Sequence, residues 1–231
     1  MKLFKEVGWW LPSHEKHLQE WMLKQNDKWD GRLAYQGKKI RLALELAKEG
    51  AERKGHNMAR DGVAIDIGAH CGLWSFYLAQ FFANVSAFEP IEEHRLCFKA
   101  NVEADNVLLL PYALGLEDGE VGFHTEPSSS GDTYVSGKGT IPVKRLDDGP
   151  HINSGQPVID LIKADCEGYE LFALQGGQDL IRAHRPVIVV EQKFGKAQKF
   201  GLRETQAVEY LKELGMRLER EIAGDYFMSW P

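Results

Sequence analysis

The segment that most constrains this chain is residues 63–72, Val-Ala-Ile-Asp-Ile-Gly-Ala-His-Cys-Gly. Its first half is apolar and β-branched, with no charge before Asp66, which is typical of a parallel strand covered by helices on both faces. Gly68 allows the backbone to turn sharply, and Gly72 allows the predicted helix over 72–82 to pack close to the strand. The segment therefore predicts a strand, a tight turn and a helix, with backbone N–H groups of the turn facing a nucleotide-like ligand.

The spacing of the turn narrows the kind of ligand. A dinucleotide fingerprint is G-x-G-x-x-G, and its second glycine lets the backbone approach a pyrophosphate. Here Ala69 and His70 follow Gly68, and only Gly72 completes the turn, so a pyrophosphate is not the best fit. We predict that the ligand is contacted by Asp66, Gly68, Ala69, His70 and Gly72.

A second predicted strand, residues 84–88, ends in a carboxylate at Glu89, 23 residues beyond Asp66. An acid at about 20 positions past a glycine turn hydrogen-bonds the ribose in nucleotide-binding folds. Pro90 lacks a backbone N–H and ends the strand, which keeps Glu89 at the rim of the sheet. Glu89 is therefore predicted to hold a ribose; the alternative is a solvated glutamate at a strand end.

Further along the chain, residues 160–170 combine a strand, several carboxylates and the start of a helix. Four motifs occur in order: DIGAHCG at 66–72, FEP at 88–90, LIKADCEGYE at 161–170 and RPVIVVEQ at 185–192. In this combination the chain resembles the FkbM-type methyltransferases, over roughly residues 60–192. The resemblance implies S-adenosylmethionine as the cofactor. His70 stands where an asparagine is common in that family.

Strand-like and helix-like segments alternate from Gly62 onward, which predicts a doubly wound, mostly parallel α/β sheet with ligands at the carboxyl ends of its strands. Two closing segments, 217–222 and 226–230, predict a terminal hairpin. The resemblance likewise implies a Rossmann-like sheet of seven strands whose last pair is antiparallel. We predict the other strands at 63–67, 84–88, 107–111, 158–163 and 186–191, and helices at 72–82, 91–104, 168–182 and 203–214.

The length of 231 residues allows one large domain with an N-terminal annex. We predict a helical annex over residues 1–60 and a methyltransferase domain over 61–231. The two predicted helices of the annex are 15–24 and 40–51. Four tryptophans between Trp9 and Trp29 can pack on the main domain or on a second subunit, which leaves a homo-oligomer open.

Composition and charge argue against nucleic acid as a partner and against a place in the membrane. The net charge of −6, without a concentrated basic stretch, disfavours nucleic acid as a substrate. The three cysteines include no C-x-x-C pair, which argues against a zinc knuckle and against a disulfide framework. No apolar run approaches the about 20 residues that cross a bilayer. We therefore expect a cytoplasmic protein without a membrane or nucleic-acid partner.

The predicted chemistry follows from the resemblance. Methyl transfer requires alignment of donor and acceptor, and a hydroxyl acceptor benefits from a base within hydrogen-bond reach. Asp165, at the carboxyl end of the fourth predicted strand, is the first candidate, and its charge also complements a sulfonium. Glu167 and Glu191 are the next candidates, although Glu167 could serve only the dipole of the helix that it precedes. Such acids could also hold a divalent cation, but a metal-free base is preferred because no histidine joins them at ligand spacing.

The remaining predicted contacts lie at the third strand end and in the insertion that follows. Tyr112 and Ala113 are predicted to form the adenine slot. The polar insertion over 115–155 is interpreted as a substrate lid or an exposed linker. Candidate acceptor contacts, which are otherwise solvent-facing side chains, are His70, His124, Asp132 and His151.

The function predicted at this point is methylation of a small-molecule hydroxyl, such as that of a sugar or a polyketide-like natural product. Two alternatives remain open. An NAD(P)-dependent dehydrogenase would share the fold and the ribose acid, but it would need a third glycine and a proton relay that the sequence does not reveal. A non-catalytic module would bind the cofactor without turnover.

Overall fold

The structure, a computed structural model, describes residues 1–126, 129–149 and 158–231. His151, a candidate acceptor contact, lies outside the described residues. The elements in chain order are β1 Lys2–Phe4, β2 Trp9–Leu11, α1 His17–Gln25, β3 Lys28–Trp29, β4 Arg32–Leu33, α2 Gly37–Arg53, α3 Met58–Asp61, β5 Gly62–Ile67, α4 Ser75–Leu78, β6 Asn84–Phe88, α5 Glu92–Asn101, β7 Val107–Leu110, β8 Ala113–Leu114, β9 Gly119–Val121, β10 Phe123–Glu126, β11 Ser129–Val135, β12 Ile141–Lys144, β13 Val158–Ala164, α6 Glu170–Gln175, α7 Gln178–His184, β14 Val187–Glu191, α8 Gln206–Glu213, β15 Arg217–Ile222 and β16 Asp225–Ser229. Short 3₁₀ turns lie at Leu146–Asp148 and Ala197–Phe200.

The central sheet has seven strands in the order β15-β16-β14-β13-β5-β6-β7. The five strands from β14 to β7 are mutually parallel, whereas β16 runs antiparallel to both β14 and β15. The predicted doubly wound, mostly parallel sheet with a terminal hairpin is thus confirmed. Every residue of β5 is buried, as expected for a strand covered on both faces.

Two hydrophobic layers enclose the sheet. On one face the N-terminal residues Trp9, Met22 and Ile40 share a core with Tyr77 and Leu161. On the other face, side chains of α6, α7 and α8 pack on the opposite side chains of the same strands. The N-terminal segment therefore serves as one of the layers that complete this α/β fold.

The N-terminal 60 residues contain the two predicted helices, as α1 and α2, together with two short antiparallel strand pairs, β1–β2 and β3–β4, that the sequence did not indicate. Their tryptophans pack within the chain. Trp9 is completely buried and packs edge-to-face on Phe76 with ring centroids 5.2 Å apart, and Trp29 stacks on Tyr77 with centroids 4.3 Å apart. The domain boundary at residue 60 and association with a second copy stay predictions.

Most predicted helices differ from the structure by up to three residues at an end, and two of them differ in kind. The predicted helix over 168–182 is split into α6 and α7 at Gly177, whose φ of −119° and ψ of 21° lie outside the helical region. The predicted helix over 72–82 is regular only in α4. Around it, N–H groups bond to carbonyls three and four residues back, as when Tyr77 and Leu78 both donate to Trp74.

The insertion after β7 supplies two small sheets. Strand β12 pairs with β8 and β9, and β10 forms a hairpin with β11. Within the described ranges, no helix has both the length and the apolar character that crossing a lipid bilayer requires.

Candidate active site

A cavity of about 370 Å³ opens at the carboxyl ends of β5, β6, β13 and β14, where open α/β sheets bind ligands. Its walls also include residues of the N-terminal segment, among them Tyr35, and residues of β11. Most of the predicted site residues line this one cavity. They are Gly68, Ala69, His70, Glu89, Tyr112, Ala113, Asp165, Glu167 and Glu191.

The glycine turn is held tightly between neighbouring strand ends. Gly68 has φ +75°, and a Cβ there would lie 1.9 Å from the carbonyl oxygen of Asp165, so only glycine fits. The N–H groups of Gly68 and Ala69 both donate to the Phe88 carbonyl at 3.0 Å. The turn, which follows β5 in the chain, is therefore hydrogen-bonded to the end of β6 and packed against the end of β13.

Glu89 lies at the cavity wall and is only 4% exposed. Its carboxylate accepts hydrogen bonds from the backbone N–H groups of His70 and Ile91, each at 2.8 Å. The Nδ1 atom of His94 lies 3.3 Å from the same carboxylate. A carboxylate has about four lone-pair sites, so Glu89 can still accept from a ligand hydroxyl.

Asp66 and Gly72, both predicted as cofactor contacts, do not line the cavity. Asp66 is completely buried beneath the turn, where it accepts a hydrogen bond from Ser75 Oγ at 2.7 Å and lies 3.6 Å from Lys163 Nζ. Burial raises the pKa of Asp66. Gly72 has φ +81° and packs on Phe98 and Val102. Both residues support the turn from outside the cavity.

Three carboxylates converge in the same cavity. Asp165, Glu167 and Glu191, named here the acid cluster, each offer an oxygen within 4.8 Å of the others. Each acid also faces a lysine that the sequence analysis did not assign to the site. The pairs are Asp165 with Lys163 at 3.4 Å, Glu167 with Lys196, and Glu191 with Lys193.

The acids of the cluster differ in protonation. Burial, followed by the charge of Asp165, raises the pKa of Glu191 to about 9. Burial also disfavours ionisation of Asp165, but Lys163 and Lys193 outweigh it and the pKa of Asp165 is lowered. Burial raises the pKa of Glu167 to about 7. At neutral pH the cluster therefore pairs an ionised Asp165 with a protonated Glu191, and such separated pKa values are typical of acid–base sites.

Several cavity residues were missed from the sequence. Lys163 stands inside the LIKADCEGYE motif, and Lys193 follows a predicted strand end, so position alone could have indicated both. No motif or strand end in the sequence indicated that Tyr35 lies at the site. Its hydroxyl has no hydrogen-bond partner in the part of the chain that the structure describes, and burial together with Asp165 raises its pKa well above the usual value. Tyr35 is therefore a protonated donor at the cavity wall.

The other predicted acceptor contacts differ in position. Asp132 lines the cavity and pairs with Lys196. His124 does not line it and packs against Tyr134 instead, with ring centroids 5.1 Å apart. Burial raises the pKa of the Cys166 thiol, so Cys166 is not activated as a thiolate nucleophile.

The fold and the cavity define a class of protein, an α/β fold with a glycine turn and several carboxylates at the carboxyl ends of its parallel strands. The sequence model of a protein family, the methyltransferase FkbM domain, matches residues 66–218. The chain therefore belongs to this family.

A curated relative is the hexuronic acid methyltransferase AglP of Haloferax volcanii, 30% identical over 154 residues. The match covers 65% of this chain and 59% of the relative. Among solved structures, monomeric WbdD is 12% identical with a TM-score of 0.50, covering 87% of this chain and 43% of WbdD. The methyltransferase FkbM of Methylobacillus flagellatus KT is 17% identical with a TM-score of 0.48, covering 83% of this chain and 50% of that protein. The likeness to WbdD concerns the fold alone.

Proposed function

We propose that this protein is an S-adenosylmethionine-dependent methyltransferase that O-methylates a small sugar, with a hexuronic acid as the first acceptor to test. The observation that carries the proposal is the presence, in one cavity, of the glycine turn with Glu89 and of the acid cluster. The relative named for hexuronic acid methylation suggests the acceptor class.

The cofactor half of the cavity fits a nucleoside. Glu89 is a buried carboxylate with hydrogen-bonding capacity left for ribose hydroxyls. Tyr112 and Ala113 line the adjacent wall and are suited to an adenine. S-adenosylmethionine, when bound, supplies an electrophilic methyl group on a positive sulfonium. The ionised Asp165 complements that charge.

The acid cluster provides the base. An alcohol is a poor nucleophile while it keeps its proton, and Asp165 is ionised and can accept that proton as the new C–O bond forms. A hydrogen bond from the protonated Glu191 to Asp165 holds the carboxylate in place. Glu167, with its pKa near 7, is the second candidate base.

The first experiment is calorimetry of S-adenosylhomocysteine and of NAD with the purified wild-type protein. We expect micromolar binding of S-adenosylhomocysteine and none of NAD. Glu89→Gln should weaken the affinity at least tenfold, which is about 1.4 kcal/mol and typical of a lost charge-assisted hydrogen bond. The matched control is Glu92→Gln, an exposed glutamate three positions away. Binding of NAD, or no detectable binding of either ligand, would contradict the proposal.

The second experiment identifies the acceptor. Transfer of a labelled methyl group to glucuronic and galacturonic acids is compared with transfer to glucose and xylose. Alkali then separates the two possible products, because a methyl ester on the sugar carboxylate is hydrolysed while a methyl ether on a hydroxyl is stable. We expect an alkali-stable product. An alkali-labile product would move the reaction to the carboxylate and remove the need for a base.

A further inference from the structure

A buried carboxylate of the N-terminal segment lies next to the insertion. Glu15 is 0% exposed and precedes residue 66, where the family match begins. Its carboxylate accepts hydrogen bonds from the backbone N–H of Ser130 at 2.8 Å, from the Ser130 hydroxyl, and from the Leu18 N–H at 2.9 Å. Glu15 forms no ion pair with a lysine or arginine among the described residues.

The energetics of this arrangement indicate that it holds two segments together. Burying a carboxylate is strongly unfavourable unless hydrogen bonds replace its hydration. Two of the three donors to Glu15 come from Ser130, in β11, so the carboxylate is satisfied only when the N-terminal segment and β11 are in contact. Both segments line the cavity, through Tyr35 and Leu18 on one side and through 129–133 on the other.

The same contact reaches the glycine turn. Nε2 of His70 lies 2.9 Å from Ser130 Oγ. Because the Ser130 hydroxyl donates its proton to Glu15, its oxygen must accept from His70, which requires a proton on Nε2 and leaves Nδ1 as an acceptor. Burial, followed by the nearby His94, holds the pKa of His70 well below its usual range, so the ring is neutral. His70 also donates its backbone N–H to Glu89.

We propose that Glu15 and Ser130 are positioning residues that couple the N-terminal segment to the cofactor turn by fixing His70 in its Nε2–H tautomer. The inference rests on the proposed function for its ligand, the nucleoside part of S-adenosylmethionine. It gives residues before the matched family segment a role in cofactor affinity. It also explains the histidine at position 70. The imidazole of His70 reaches from the turn to Ser130, while the backbone N–H of His70 donates a hydrogen bond to Glu89.

The binding test uses calorimetry with S-adenosylhomocysteine. We expect Ser130→Ala and Glu15→Gln to weaken the affinity about tenfold, and Ser130→Thr, which keeps the hydroxyl, to remain within about twofold of wild type. The control is Glu20→Gln, an exposed acid on α1. If Glu15→Gln does not fold, Ser130→Ala alone decides. Equal affinities for Ser130→Ala and wild type, or an equal loss in Ser130→Ala and Ser130→Thr, would overturn the inference.

A second readout does not depend on the cofactor. Nitrogen-15 NMR of histidine-labelled protein without ligand should show His70 as the neutral Nε2–H tautomer, and Ser130→Ala should shift it toward the other tautomer. A merely structural role for Ser130 would not move this signal. An unchanged tautomer overturns the inference. A shifted tautomer in a protein that does not bind S-adenosylhomocysteine supports the coupling and contradicts the proposed function alone.

Discussion

Two groups of cavity residues, named here the cofactor end and the acceptor end after the roles proposed for them, are built in different ways. The cofactor end, residues 68–70 with Glu89, uses backbone N–H groups and one carboxylate from two segments that are close in the chain. The acceptor end, the acid cluster with its three lysines, gathers charged side chains from the ends of β13 and β14 and from the loop beyond, and Tyr35 of the N-terminal segment joins them. Backbone geometry dominates the first end, and coupled charges dominate the second.

This difference determines how each end should respond to substitution. At the cofactor end, space is the limiting quantity, because strand ends press on the turn. At the acceptor end, replacing one carboxylate oxygen by an amide nitrogen keeps the shape of the cavity. It nevertheless changes the protonation of the remaining acids, since the pKa of each acid depends on the charges of its neighbours. Isosteric changes should therefore damage the acceptor end most, and added volume should damage the cofactor end most.

The largest expected effect is that of Asp165→Asn on turnover. Loss of a general base costs typically 10²–10⁴-fold in rate, so we expect kcat to fall by about that factor. The affinity for S-adenosylhomocysteine should stay within about threefold, because the substitution adds no volume. Asp132→Asn is the matched control in the same cavity, and it should lower kcat by less than about tenfold.

Two results would revise this assignment. A large loss of cofactor affinity in Asp165→Asn would make Asp165 a cofactor residue. If Glu167→Gln loses more activity than Asp165→Asn, the base is Glu167, whose pKa of about 7 suits that task.

The second effect tests space at the cofactor end by comparing Gly68→Ala with Gly31→Ala. Both glycines have nearly the same backbone conformation, φ +75° and +76°, but a Cβ at Gly31 meets nothing within 4 Å. A left-handed alanine costs about 1–2 kcal/mol, which is the expected loss for Gly31→Ala. Gly68→Ala should lose at least about 2 kcal/mol more and should not bind S-adenosylhomocysteine. Urea unfolding measures both variants, and equal losses would contradict the close contact with Asp165.

The same contrast explains what the sequence could predict. The core strands of the sheet were placed to within one residue at either end, because apolar β-branched runs and their flanking turns are local signals. The positions of the turn and of Glu89 at the strand ends were predicted from the same local signals. The contact of Glu15 with Ser130 joins positions 115 apart, and nothing in either local sequence indicates the other. The lysine partners of the acid cluster, such as Lys196, become visible only once the strands and loops are assembled.

The third effect concerns pH and the acceptor end. Glu191 has a pKa of about 9 in the folded protein against 4.5 in the unfolded chain, so between these values the native state holds a proton that the unfolded state has released. The free energy of unfolding should therefore fall as pH rises from 5 to 9, by at most about 1.4 kcal/mol per pH unit from this group. Glu191→Gln should flatten that fall, while Glu45→Gln, on the exposed side of α2, should not. Urea midpoints at pH 5, 7 and 9 provide the measurement, and parallel curves for wild type and Glu191→Gln would contradict the protonated Glu191.

The smallest expected effect is that of metal removal. A divalent cation in the acid cluster would have to displace Lys163, Lys193 and Lys196, whose ammonium groups already face the three acids. Turnover should therefore change by less than about twofold after dialysis against EDTA and after addition of Mg²⁺. Lys196→Met sharpens the test, because it removes the cation beside Glu167 and should make turnover more sensitive to Mg²⁺ than in wild type. If wild-type activity instead disappears in EDTA and returns with Mg²⁺, the lysines must leave the acids during the reaction, and the acceptor end would then work through a bound metal and not through Asp165 as a base.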